Sequence, residues 1–97
     1  MKVSLSAQAE LELVEGAAYY AREANQDIAE AFISEFDRSA RLLGEYPKLG
    51  TTWRGRIRRL PLRRFPYSIV YSLSQAEVRI LAVAHQRRRP GFWRGRT

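Results

Sequence analysis

The chain contains no cysteine, which excludes disulfides and thiolate metal sites. Its one histidine, His85, is too few for a histidine-based metal centre. No metal and no other cofactor is therefore expected. No apolar run approaches the roughly 18–20 residues of a membrane span, and Met1-Lys2-Val3 does not open a signal peptide. The expected location is the cytoplasm, with no membrane partner. Lysine is scarce, limited to Lys2 and Lys48, and acid is almost missing from one half. Residues 1–53 carry five basic groups against nine acidic ones, giving −4. Residues 54–97 carry twelve arginines against Glu77 alone, giving +11 and a formal total of +7. So many like charges repel one another and destabilise a free domain, so the asymmetry points to a polyanionic partner: nucleic acid or an acidic protein segment. Arginine suits bidentate pairing to phosphate or carboxylate.

Catalytic patterns are missing as well. There is no glycine-rich phosphate loop, and no serine has the strained context of a triad nucleophile. With 97 residues the chain is expected to form a single domain, 1–97.

What is present reads as an α+β fold. Lys2-Val3-Ser4-Leu5 alternates like a short strand, and Ser6 can cap a helix. On a helical wheel Leu11, Val14, Ala18, Ala7 and Ala21 fall on one side, continued by Ala17, Ala24, Leu13 and Tyr20. That wide, alanine-rich arc predicts the buried face of the first helix. Gly16 inside it costs about 1 kcal/mol against alanine. The glutamates lie on the solvated remainder. Asn25 caps a second helix, with Asp27 in its first turn. Its stripe is Ile28, Phe32, Phe36, Ala40 and Leu43, and it ends near Gly44 before Pro47. The short link makes the helices antiparallel neighbours.

Tyr46 to Gly55 reads as an irregular loop, with Trp53 plugging one end of the core. Ile57 to Leu62 is a strand interrupted by Pro61, hence an edge or a bulge. Phe65 to Leu73 alternates most clearly, and Ser74-Gln75-Ala76 turns into a last strand, Val78 to Ala84. The predicted order is an N-terminal strand, an antiparallel helical hairpin, and a three-stranded antiparallel meander packed on the helices.

The last strand organises the functional reading. It runs through His85 into Gln86-Arg87-Arg88-Arg89, and Pro90-Gly91 then presents Phe92 and Trp93. Three arginines, a histidine and two aromatics thus reach one edge. RNA cleavage by its own 2′-hydroxyl would need a base, an acid and cations. His85 could titrate near neutrality and the arginines supply charge.

These residues resemble the RelE/ParE superfamily of toxins from bacterial type II toxin–antitoxin modules. The resemblance rests on the opening strand and hairpin, Tyr46-Pro47-Lys48-Leu49-Gly50, Ile57-Arg58-Arg59-Leu60, Phe65-Pro66-Tyr67-Ser68-Ile69-Val70-Tyr71, and the run from Val78 to His85. The tail Arg87-Arg88-Arg89-Pro90-Gly91-Phe92-Trp93 is similar to ParE-like members. The resemblance implies a cytoplasmic toxin bound by an antitoxin encoded by an adjacent gene, in a higher-order hetero-oligomer. It implies antitoxin contacts through Arg58, Arg63, Tyr67 and Arg79. In the ParE-like branch the target is DNA gyrase, met by His85, Arg87, Arg88, Arg89 and Trp93, with no catalytic residue. In the RelE-like branch the activity is cleavage of ribosome-bound mRNA, and His85, Arg58 and Arg64 would carry it. After His85 the tail has neither a tyrosine nor a second histidine, which favours the ParE-like branch. A reading from charge alone is a basic nucleic-acid-binding module, with affinity falling steeply in salt.

Overall fold

The computed structural model describes residues 1–87 and 91–96. Strand β1 (Lys2–Leu5) leads into helices α1 (Ala7–Glu23) and α2 (Gln26–Glu45). Four strands follow: β2 (Thr51–Arg54), β3 (Ile57–Pro61), β4 (Tyr67–Leu73) and β5 (Glu77–His85). They form one mixed five-stranded sheet in the order β1-β5-β4-β3-β2, with β1 parallel to β5. The α+β class and the strand–hairpin opening match the sequence reading. The three-stranded meander is corrected to four strands, because Thr51–Arg54 pairs antiparallel with β3 through a tight turn at Gly55, whose φ is +56°. β3 is consequently not an edge. Pro61 is tolerated because β2 pairs only with residues 57–59, and Pro61 sits beyond its reach opposite Ser68.

Both helix caps fall where the side-chain chemistry puts them. Ser6 Oγ accepts from the Ala9 N–H at 3.1 Å, and Asn25 Oδ1 accepts from the Ile28 N–H at 2.9 Å. The α2 stripe also holds, with Ala29, Phe32, Phe36 and Leu43 buried. α1 is rotated from its predicted orientation. Leu11 and Val14 are each 58% exposed, and Ala18 and Ala21 are also outside. The inward face is Ala9, Glu12, Leu13, Gly16, Ala17 and Tyr20. Gly16 explains the rotation. The Phe32 ring lies where a Cβ would be, 2.8 and 2.9 Å from its Cε2 and Cζ. That ring also meets Tyr20, Phe65 and Tyr67 at centroid distances of 5.3, 5.3 and 4.9 Å.

β5 contains the feature that sets the rest. Val70 pairs with Ala82 but Tyr71 pairs with Ile80, so Leu81 is an extra residue. The bulge reverses the alternation of β5. Val78, Ile80 and Val83 face the helices, whereas Ala82 and Ala84 join Val70 on the opposite face. There they form a second core with Trp93, Trp53, Ile57 and Phe92. The long apolar run of β5 is therefore buried on both faces.

Gly16→Ala should not deliver the roughly 1 kcal/mol of helix propensity that alanine offers. The added methyl meets a ring locked in an aromatic cluster, so the variant should lose about 1–3 kcal/mol. Urea unfolding followed by far-UV circular dichroism measures it; a stabilised variant would contradict the packing.

Candidate functional site

The candidate site is the sheet face opposite the helices together with the end where β5 stops. Two hydrogen-bonded features build it. The first is the C-terminal tail. Glu12 Oε1 accepts from the Val83 N–H at 3.0 Å, on the β5 edge that β1 no longer covers, and from Arg96 Nη1 at 3.0 Å. Arg96 also donates to the Leu81 carbonyl at 3.2 Å, and Ser6 Oγ donates to the same carbonyl at 3.2 Å. Both partners of the Glu12–Arg96 pair are largely buried. Glu12 is thus structural, although it reads in the sequence as a solvated helix acid. Its ion pair holds the tail across the sheet, where Gly91 and Gly95 turn the chain at φ of +85° and +84°.

Trp93 is 5% exposed, with Trp53 at 5.3 Å and Phe92 at 5.2 Å between ring centroids. The tail therefore does not leave Trp93 exposed at the edge: it packs back onto the sheet. Arginines cover the aromatic layer. Arg54 and Arg94 lie 5.5 Å from the Trp53 ring centre, and Arg96 lies 5.0 Å from that of Phe92.

The second feature is the end of the sheet. The Gln86 N–H donates to the Pro66 carbonyl at 2.8 Å, tying the end of β5 to the β3–β4 turn. Arg63, Arg64, His85 and Arg87 therefore share one end, and the three arginines are exposed. The turn is held from α2. Glu35 Oε2 accepts from the Arg63 N–H at 2.9 Å, and Arg38 grips the same carboxylate through Nε and Nη2 at 3.2 and 3.0 Å. Arg64 adopts φ of +68°, with its guanidinium 5.9 Å from the Phe65 ring centre. The His85 ring is edge-on to Tyr67 at 5.1 Å, and its Nδ1 accepts from the Arg87 N–H at 3.1 Å. In the neutral ring the proton then sits on Nε2. Arg88 and Arg89 lie outside the described residues.

The remaining candidates separate. Arg58 turns away and donates to the Lys48 and Gly50 carbonyls at 3.3 and 2.8 Å, so its guanidinium holds the α2–β2 loop. Its register partner is Tyr71, whereas that of His85 is Tyr67. Four residues along β4 are about 13 Å, so Arg58 and His85 do not converge on one phosphate. Tyr67 packs among helix-side aromatics; burial pushes its phenol above the ordinary range, with Tyr19 adding to the effect. Arg79 donates to Ser4 Oγ at 3.2 Å and stands opposite Ser72, on the same face as Val70.

Two surfaces escaped the sequence reading. A cleft of about 350 Å³ lies between the tail and the sheet, lined by Trp53, Arg59, Ser68, His85, Phe92 and Trp93 among others. On the opposite side, Val14, Ala18 and Ala21 of α1 and Ala29 and Ile33 of α2 line an outward apolar groove. The helical wheel found Val14, Ala18 and Ala21 but assigned them to the core.

A small helical hairpin laid on a mixed five-stranded sheet is a fold shared with a solved structure. The chain superposes on one from the "Chromosomal ParDE TA system from P. aeruginosa" with a TM-score of 0.77. The two are 18% identical, and the match covers 88% of this chain and 95% of that one, which shows a shared fold. Among curated proteins none matches the chain in sequence. Residues 3–90 match the family described as "ParE toxin of type II toxin-antitoxin system, parDE", and the chain belongs to that family. Among the described residues no helix is long and apolar enough to cross a membrane.

Glu35 links the stability of this end to pH. Burial alone would raise its carboxyl, but hydrogen bonds from Arg38 and the Arg63 N–H, with both positive charges, hold it below the ordinary carboxylate range. Its folded pKa is therefore depressed. The stability it contributes is present above the unfolded value of about 4.3 and is lost as pH falls through the folded pKa. Glu35→Gln should be less stable than the parent at pH 7, with the gap closing below about pH 4. Thermal midpoints measured from pH 3 to 7 test this; a constant gap would remove Glu35 as the titrating anchor.

Proposed function

We propose that the chain is the toxin of its module and acts by poisoning DNA gyrase, trapping it on cleaved DNA, as a protein inhibitor rather than an enzyme. The carrying observation is the cationic end of the sheet that Arg63, Arg64 and Arg87 share with His85, braced by Glu35 and by the Gln86–Pro66 hydrogen bond. Arg88 and Arg89 belong to the same proposed target surface by sequence. The separation of Arg58 from His85 weighs against the ribonuclease constellation.

The partner is a cognate antitoxin encoded by the adjacent gene, within a hetero-oligomer of higher order and in the cytoplasm. Its wrapping segment would be acidic and amphipathic. Apolar side chains of that segment fill the groove between α1 and α2, where Val14 is exposed. Its carboxylates meet arginines of the opposite half, including Arg63 and Arg79. Such a complex relieves the self-repulsion of the second half and stabilises the toxin by binding its folded form.

In a supercoiling assay, micromolar toxin should inhibit gyrase and accumulate cleaved DNA, and Arg87→Glu should weaken both effects at least tenfold. Absence of cleaved DNA at that concentration would defeat the gyrase reading. Val14→Glu should change stability by no more than about 0.5 kcal/mol, since the site is exposed. It should weaken antitoxin affinity at least tenfold by calorimetry, and unaltered affinity would place the antitoxin elsewhere.

A further inference from the structure

Two residues of the cleft beneath the tail carry polar atoms left unsatisfied. Ser68 Oγ and Trp93 Nε1 are buried and have no hydrogen-bond partner among the described residues. Their residues, 3% and 5% exposed, line the same cleft. The hydroxyls of Tyr71 and Ser6, also buried, are well supplied. The Tyr71 hydroxyl accepts from the Gly50 N–H at 3.0 Å and donates to the Pro47 carbonyl at 2.7 Å, and Ser6 Oγ makes two bonds. Two orphans at one place therefore mark an occupant the chain itself does not provide.

The surroundings define that occupant. Val70, Ala84, Trp53 and Phe92 supply apolar wall. Arg59 is exposed at the same cleft, and its guanidinium enters no hydrogen bond or ion pair among the described residues. We propose that the cleft is a binding site for a small carboxylic acid with an apolar body. The two carboxylate oxygens accept from the Ser68 O–H and the Trp93 Nε1–H, Arg59 supplies the opposite charge, and the body rests on the apolar wall.

Neighbouring chemistries fit less well. A phosphate has more oxygens to satisfy, and the backbone groups of β4 and β5 that face each other here are engaged in the ladder. A nucleobase needs open aromatic faces, yet arginines already sit over Trp53 and Phe92. Water could bridge the two orphans but would leave the apolar wall and Arg59 unused. The inference does not depend on the gyrase reading.

The chain's two tryptophans both line the cleft, so intrinsic fluorescence reports its occupancy. The full chain would be titrated with phenylacetate, acetate, phenylacetamide and inorganic phosphate. Phenylacetate should change the emission saturably and bind at least tenfold more tightly than the other three. Ser68→Ala should weaken phenylacetate roughly tenfold while leaving the thermal midpoint of the free protein unchanged or higher, because it removes an unsatisfied group. A purely structural serine would not show that split. Trp93→Phe, with Trp53 as reporter, should weaken binding similarly. An N-acetylated dipeptide ending in a phenylalanine carboxylate separates sources: tighter binding than phenylacetate assigns the acid to a polypeptide terminus, weaker binding to a free acid. Phenylacetate binding no better than phenylacetamide, or binding unaffected by Ser68→Ala, would overturn the site and leave a water-filled cleft.

Discussion

The carboxylate of Glu12 stands where the helical layer, strand β5 and the C-terminal tail meet. β5 is longer than β1, so its edge beyond Ile80 has no neighbouring strand. The Leu81 bulge aggravates this, because an extra residue disturbs the ladder on the other side too. Unpaired backbone groups at such depth cost about as much as lost hydrogen bonds. Glu12 answers one of them from α1 by accepting from the Val83 N–H, and Ser6 and Arg96 answer the Leu81 carbonyl. The same carboxylate then binds Arg96, so edge repair and tail attachment are one interaction. An ion pair this buried is favourable only when its members have further hydrogen bonds, and here each has one.

From that junction the character of the outer face follows. The bulge turns Ala82 and Ala84 outward, creating an apolar floor that would be costly to leave in water. The anchored tail brings Trp93 and Phe92 down onto it. Trp53, which packs against Trp93, then seats Arg54 and Arg94, and Phe92 seats Arg96. A cation over a ring keeps its charge available to a partner while losing some freedom. This surface is therefore more ordered than twelve arginines on a solvated chain would be. Ordering like charges together raises the free energy of the isolated protein, and binding of an anionic partner releases it.

Much of this was legible in the sequence where one local rule acts alone. The caps at Ser6 and Asn25, the α2 stripe and the alternation of β4 all follow from side-chain chemistry within a few residues. The failures are places where a distant partner decides. α1 has two apolar flanks, and Glu12 between them made the inward one look polar; only the Val83 N–H and Arg96 explain an acid there. Thr51-Thr52-Trp53 has strand-forming side chains, but Gly50 and Gly55 on either side read as loop. Gly50 instead is required by close approach of the Tyr71 ring and the Arg59 carbonyl, both within 3 Å of where a Cβ would stand. The bulge at Leu81 leaves no local mark at all, since leucine suits either face. Among the site residues, the cluster around His85 was legible as charge, whereas the burial of Trp93 and the diversion of Arg58 to loop carbonyls depended on tertiary contacts.

The misassigned flank of α1 carries a positive lesson. Leu11, Val14, Ala18 and Ala21 are apolar at helical spacing, yet the hairpin does not bury them. A helix that contributes one apolar face to its own core and keeps a second outside is incompletely folded by its own sequence. The second half of the chain is incomplete in another sense, with charge rather than apolar surface left uncompensated. The two deficits lie on opposite sides of the sheet, so a compact partner bound at one site could not correct both. A long segment that crosses from the hairpin to the sheet face could do so. Its length would then matter more than its local affinity, because each contact raises the effective concentration of the next.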